Sequence, residues 1–273
     1  MTEQDKDARG PQPAPPAQSA LPDGSADGRG DAAAPGGPLL PEQRPAWPAG
    51  APWGWKQSLI GMILAIGPIL VLTLISYALP GNDEGGSSSP ATLGVALAAV
   101  VLTLVFDAWY LVAAWAVSLR HTGLSLAAWG FRRPASSIFW TVPVALVAVY
   151  LISVFYTTLV KPREQAVTQD FPHSGAGVFL FILLACVIAP VFEESFFRGF
   201  LFRGFASSWG VIAGAVVSAA VFALSHQQLD IFVPLFALGL ALAWVYAMTR
   251  SVWGSIALHA VYNLIAVIAW ILR

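Results

Sequence analysis

The chain has 273 residues, 57% of them hydrophobic and 11% charged, with 14 basic side chains against 15 acidic ones. A mean hydropathy of +0.68 excludes an ordinary soluble domain, and a net charge of −1 without a basic run excludes a footprint for nucleic acid. Composition therefore predicts an all-α bundle of membrane helices, whose backbone polar groups are satisfied within each segment.

Residues 1–50 are rich in Pro, Ala, Gly, Asp and Gln and poor in large apolar side chains, the composition of a disordered tail. They lack the apolar central region of a cleavable signal peptide. Residues 51–273 form the membrane domain, entered past Trp47, Trp53, Trp55 and Lys56, a set that reads as an aromatic and basic interface anchor. A membrane crossing takes ~20 helical residues. Apolar runs of that order fall near 57–79, 92–119, 136–160, 177–201, 209–227, 231–249 and 252–272, seven spans with an eighth or a re-entrant one left open. Turn-forming sequences separate them, among them Pro80-Gly81-Asn82, Arg132-Arg133-Pro134 and Lys161-Pro162-Arg163.

The most basic loop holds Arg120, Arg132 and Arg133, so the positive-inside bias puts it and the N-terminal tail in the cytoplasm. Arg198, Arg203 and Arg250 fall on or near that side by the same count. The single Cys186 lies in an apolar run and reads as packing. His121 and His173 fall in loops and read as solvated.

An ionised group at membrane depth is expensive unless paired, so such residues mark function or helix-to-helix bonding. Away from the ends they are Asp107, Glu193, Glu194, Arg198, His226 and His259, with Asn263 as the notable amide. Glu194 and Arg198 are four apart and share a helix face, as do His259 and Asn263, and Phe222 and His226. Glu193 is rotated about 100° from Glu194. One carboxylate is thus free for another task when Arg198 neutralises its neighbour.

A desolvated carboxylate beside a histidine suits general-base activation of water. A histidine and an amide four apart suit the oxyanion of an attacked carbonyl. Together they fit peptide-bond hydrolysis without a serine or cysteine nucleophile. No His-Glu-x-x-His pair and no Gly-x-Ser-x-Gly elbow occurs. Glu193, His226 and His259 also have the donor types of a zinc site with three protein ligands and a water.

Glu-Glu-x-x-x-Arg (Glu193, Glu194, Arg198), Phe-x-x-x-His (Phe222, His226) and His-x-x-x-Asn (His259, Asn263), in that order on successive helices, resemble the CAAX prenyl proteases and bacteriocin-processing enzymes. This is also called the Abi or type II CAAX endopeptidase family. Trp129-Gly130-Phe131-Arg132-Arg133-Pro134 is similar to the basic element ahead of that family's core, and the resemblance covers about 125–270. It implies an intramembrane endopeptidase of the glutamate type in a prokaryotic cell membrane, acting on a membrane-associated peptide or protein. Glu193 and His226 would activate water, His259 and Asn263 would hold the oxyanion, and Glu194, Arg198 and Phe222 would support them. Metal-independent action is the expectation, with zinc as the alternative.

Other readings stand beside it. Glu194 with Arg198 is also what structural glue between helices looks like, and His226 alone also reads as a histidine at a helix end. The Gly210, Gly214, Ser218 stripe reads as close helix packing. Asp107 has no evident partner. A catalytically idle scaffold or immunity protein of the same fold, or a small transporter, would carry comparable groups.

Overall fold

The computed structural model describes residues 47–78, 92–120, 123, 125–163, 168, 169 and 171–272. The tail expected over 1–50 lies outside the described residues but for its last four, and His121, Asp83 and Glu84 lie outside them too. Among the described residues seven helices make up the membrane domain: α1 (Trp55–Ala78), α2 (Leu93–Ser118), α3 (Ile138–Val160), α4 (Gly175–Trp209), α5 (Val211–Ser225), α6 (Phe232–Thr249) and α7 (Val252–Ile271). All but α5 are long and apolar enough to cross a membrane. No strand occurs among the described residues.

Two expected boundaries are corrected. The fourth and fifth spans were expected to part between residues 201 and 209, yet α4 continues for 35 residues to Trp209. The run Phe200 to Phe205 holds Arg203 but no proline and no residue with a positive φ, so nothing stops the helix before Gly210, whose φ of +86° no β-carbon favours. The helix accommodates strain inside instead, with wide five-residue turns over Leu184–Ile188 and Ser195–Phe202. The first immediately precedes Pro190, where a regular helix loses a donor.

The second correction is α5 itself, only 15 residues long. At ~1.5 Å per residue it rises ~22 Å, short of a ~30 Å hydrocarbon core. Glu193 lies seventeen residues before Gly210 and His226 sixteen after it, so a tight hairpin at Gly210 brings them to the same height. Small residues let the hairpin close: a β-carbon on Gly214 would meet the Ala206 backbone at 2.7 Å, and Ser218 Oγ donates to the Phe197 carbonyl at 2.8 Å.

The start of α7 is set deep by a different device. Thr249 and Ser251, in the α6–α7 turn, are fully buried beneath the segment 129–135. Ala135 N–H donates to the Thr249 carbonyl at 2.8 Å, Val252 N–H to Gly130 at 2.9 Å, and Ser251 Oγ to Arg132 at 2.6 Å. Trp129 is buried there, and its carbonyl receives Tyr246 Oη at 2.9 Å. His259 is two turns into α7 because the whole turn has been carried inward.

The interface anchor is also corrected. Trp53 is 2% exposed and donates from Nε1 to the Phe200 carbonyl, so it belongs to the core. Trp47 lies between the guanidinium groups of Arg132 and Arg203, each 4.1 Å from its ring. Arg203 is buried, and it donates to the carbonyls of Pro48 and Ala128. Arg198 is fully buried as well. Both cations are thus enclosed by the protein.

Candidate active site

Glu194 and Arg198 form the closed part of the site. Both are 0% exposed, and Nη1 of Arg198 donates to Glu194 Oε1 at 2.8 Å, one turn away as the spacing predicts. Nη2 donates to the Gly239 carbonyl at 3.2 Å, and the guanidinium lies 4.5 Å over the Phe222 ring. The same Oε1 lies 2.8 Å from Nδ1 of His259. An oxygen already bonded to a guanidinium is an acceptor, so Nδ1 of His259 carries the hydrogen. That leaves Nε2 as the ring's second polar atom, a donor when it carries a hydrogen as well. Phe222 packs edge-on to His259 at 5.8 Å and to His226 at 4.9 Å, separating the two imidazoles with one buried ring.

The histidine held by a glutamate is therefore His259 on Glu194, whereas the sequence suggested a histidine on Glu193. Glu193 is half-buried, and its Oε2 is buried without a hydrogen-bond partner. The 100° between the neighbours decides this: α4 turns Glu194 into the helix core and Glu193 toward an open space.

That space is a cavity of about 680 Å³, lined by Glu193, His226, His259 and Asn263 together with Phe222 and Tyr262. His226 follows the end of α5, and its Nδ1 is 2.8 Å from the Phe222 carbonyl. A carbonyl only accepts, so Nδ1 is protonated and Nε2 holds a free lone pair. The helix-end location places His226 on the cavity wall, just past the end of α5. The cavity wall reaches Lys161 and Arg163 in the α3–α4 connection. Arg163 N–H donates to Asp230 Oδ2 at 2.9 Å, and Gln228 Nε2 donates to the Arg163 carbonyl at 3.0 Å, tying that connection to the turn after His226.

Asn263 also reaches back to α4, donating from Nδ2 to the Ala185 carbonyl at 2.7 Å. Ala189 N–H bonds five residues back to Leu184. In that register the next donor would be residue 190, a proline with no N–H, so the main chain supplies nothing to Ala185. Asn263 fills the gap and keeps its second Nδ2 hydrogen. Sequence reasoning missed this link, and the signal was Pro190 inside an apolar helix.

Among the described residues no three His, Cys, Asp or Glu side chains converge to hold a metal ion. Cys186 packs at the edge of a cluster built on Phe181, Leu184 and Trp270, as its apolar run suggested. His173 is exposed, with its ring stacked on Trp270 at 4.1 Å.

Residues 175–265, from the start of α4 into α7, match the family described as type II CAAX prenyl endopeptidase Rce1-like. That stretch, about a third of the chain, is similar to the Rce1-like family. The match holds all three motifs and lies inside the stretch that the sequence suggested. The chain is 26% identical over 136 residues, 48% of its length, to the Bacillus subtilis (strain 168) protein named "Putative membrane peptidase YdiL". It is 28% identical over 123 residues, 45% of its length, to "UPF0177 protein YbdI" of Lactococcus lactis subsp. lactis (strain IL1403). The matched segments span 56% and 66% of those relatives. No solved structure matches the chain. Outside the Rce1-like match lie α1, α2 and α3, including Asp107 and the segment that buries the α6–α7 turn.

Proposed function

We propose that this integral membrane protein is an endopeptidase that hydrolyses a peptide bond of a membrane-associated peptide or protein, with Glu193 as general base. The observation that carries this reading is the convergence of Glu193, His226, His259 and Asn263 on one cavity, from two helices and a turn. The Rce1-like match and the name of the Bacillus relative support the same reaction class.

In this mechanism a water lies between Glu193 and Nε2 of His226. Glu193 takes a proton from it, and the water oxygen bonds to the substrate carbonyl carbon. The oxyanion is received by the free Nδ2 hydrogen of Asn263 and by His259, which Glu194 holds in place. When the tetrahedral centre collapses the C–N bond breaks, and Glu193 returns the proton to the leaving nitrogen. The apolar walls of the cavity keep other water out, which strengthens each of these interactions. No step needs a metal ion. The N-terminal tail and the Arg132–Arg133 loop belong on the cytoplasmic side in this reading, by their positive charge.

The test is cleavage of a peptide library, free and lipid-tethered, by the full chain in detergent. Cleavage that survives a chelator and is lost in Glu193→Gln and in His226→Ala supports the reading. Undiminished cleavage in Glu193→Gln overturns it, and no cleavage by the unaltered protein under any condition favours a scaffold or immunity role instead.

A further inference from the structure

Asp107 is a carboxyl group that the proposed mechanism does not use. It is 5% exposed in the middle of α2, a helix with no other ionisable acid or base, and its Oδ2 has no hydrogen-bond partner. Nor does an ion pair reach it among the described residues. An uncompensated carboxylate there would be expensive, so the group takes either a partner or a proton.

The packing of α2 on α4 names that partner. Ala96 and Val100 cluster with Phe181 and Leu184, and Tyr110 lies 5.0 Å from Phe196 and 6.4 Å from Phe197. Higher numbers on one helix meet higher numbers on the other, so the two run parallel, with Tyr110 level with Phe196. Asp107 is three residues before Tyr110, and Glu193 three before Phe196. At that spacing each acid shares a face with its aromatic neighbour, so Asp107 comes opposite Glu193. Each has one buried oxygen without a partner, Oδ2 of Asp107 and Oε2 of Glu193.

The surrounding charges do not resolve the conflict. Arg198 bonds to Glu194 and the Gly239 carbonyl. His259 is committed to Glu194, and His226 meets Glu193 across the cavity rather than on the Asp107 side. Thr103, one turn before Asp107, lines the cavity and Asp107 does not, which puts Asp107 behind Glu193. Two carboxyl groups held together in low dielectric do not both ionise.

We propose that Asp107 is a positioning residue for Glu193: the two carboxyls share one proton across the α2–α4 interface, and that hydrogen bond aims the other Glu193 oxygen at the cavity. The shared proton stays between the two acids during turnover. The proton taken from water rides on the cavity-facing oxygen and leaves with the amine, so the cycle balances without Asp107 gaining or losing one. The consequence for catalysis rests on the hydrolytic reading of Glu193, while the contact itself does not.

The test begins with infrared spectroscopy of the full chain in detergent at neutral pH. A protonated-carboxyl band, assigned by carbon-isotope labelling of aspartate and glutamate, is expected in the unaltered protein and absent from both Asp107→Asn and Glu193→Gln. In each variant an amide N–H supplies the hydrogen bond that the proton supplied. No band in the unaltered protein overturns the proposal, and so does a band that persists in Asp107→Asn, which would mean that Glu193 is protonated alone. On the cleaved library peptide, Asp107→Val should lower kcat roughly 10- to 100-fold with KM unchanged, as expected for a misaimed base. Asp107→Asn should recover most of that loss. Equal losses in the two variants, or none in Asp107→Val, would overturn the positioning role. The infrared result needs no turnover, so a protein that cleaves nothing refutes the hydrolase and still decides the acid pair.

Discussion

Two adjacent glutamates on α4 have opposite environments. Glu194 is fully enclosed, and one of its oxygens is bonded to both a guanidinium and an imidazole. Glu193 borders a cavity and has no ion pair among the described residues, although each glutamate keeps one buried oxygen, Oε2, without a partner. A single helical step separates a charge that stabilises the bundle from one that is left available for chemistry. The difference shows that an acidic pair in a membrane helix is two statements, and that pairing rather than residue type tells them apart.

The sharpest way to break this contrast is Glu193→Gln. Cleavage is expected to fall by about 10²- to 10⁴-fold, while the thermal midpoint in detergent stays where it was. A midpoint that falls as far as in the Glu194 network would make Glu193 structural as well. Next comes Arg198→Met, which strands the buried Glu194 carboxylate and should cost about 3–5 kcal/mol of stability. The double variant Glu194→Gln with Arg198→Met should recover much of that loss, because no charge is left unpaired. No recovery would show that the guanidinium packs for another reason.

Asn263→Leu tests the seam between the two sides. It leaves the Ala185 carbonyl unsatisfied, a loss of about 1–3 kcal/mol, and it removes an oxyanion donor, so rate should fall by more than stability accounts for. A fall in stability alone would confine Asn263 to bridging the helix at Pro190. The smallest effect is expected far from either glutamate. Tyr246→Phe breaks the hydrogen bond to the Trp129 carbonyl over the α6–α7 turn, at about 1 kcal/mol, with cleavage unchanged. A clear loss of rate there would show that this cover sets the depth of His259.

Much of the site is legible from spacing. The Glu194–Arg198 pair and the stacking of Phe222 against His226 follow from one helical turn, and the structure shows both. The Gly210, Gly214, Ser218 stripe correctly marks a close helix contact. The bond from His259 to Glu194 was not legible, because it joins α7 to α4 across 65 residues and no local rule chooses between neighbouring acids. Trp53 and Arg203 were misread for the same reason: an aromatic or a cation near a span end suits an interface, and only packing shows that it is buried.

The sequence by itself determined that this is a helical membrane protein and which polar residues matter, because lipid excludes unpaired backbone and isolated charge and so leaves few places for either. It also determined which residues share a helix face, since 3.6 residues per turn is a local property. Only the tertiary structure decided which glutamate is closed off and which is open, and how a short α5 and a buried α6–α7 turn bring His226 and His259 to one cavity. Those outcomes depend on contacts between helices far apart in the chain, where the energy of a pairing is set by what else is left unpaired.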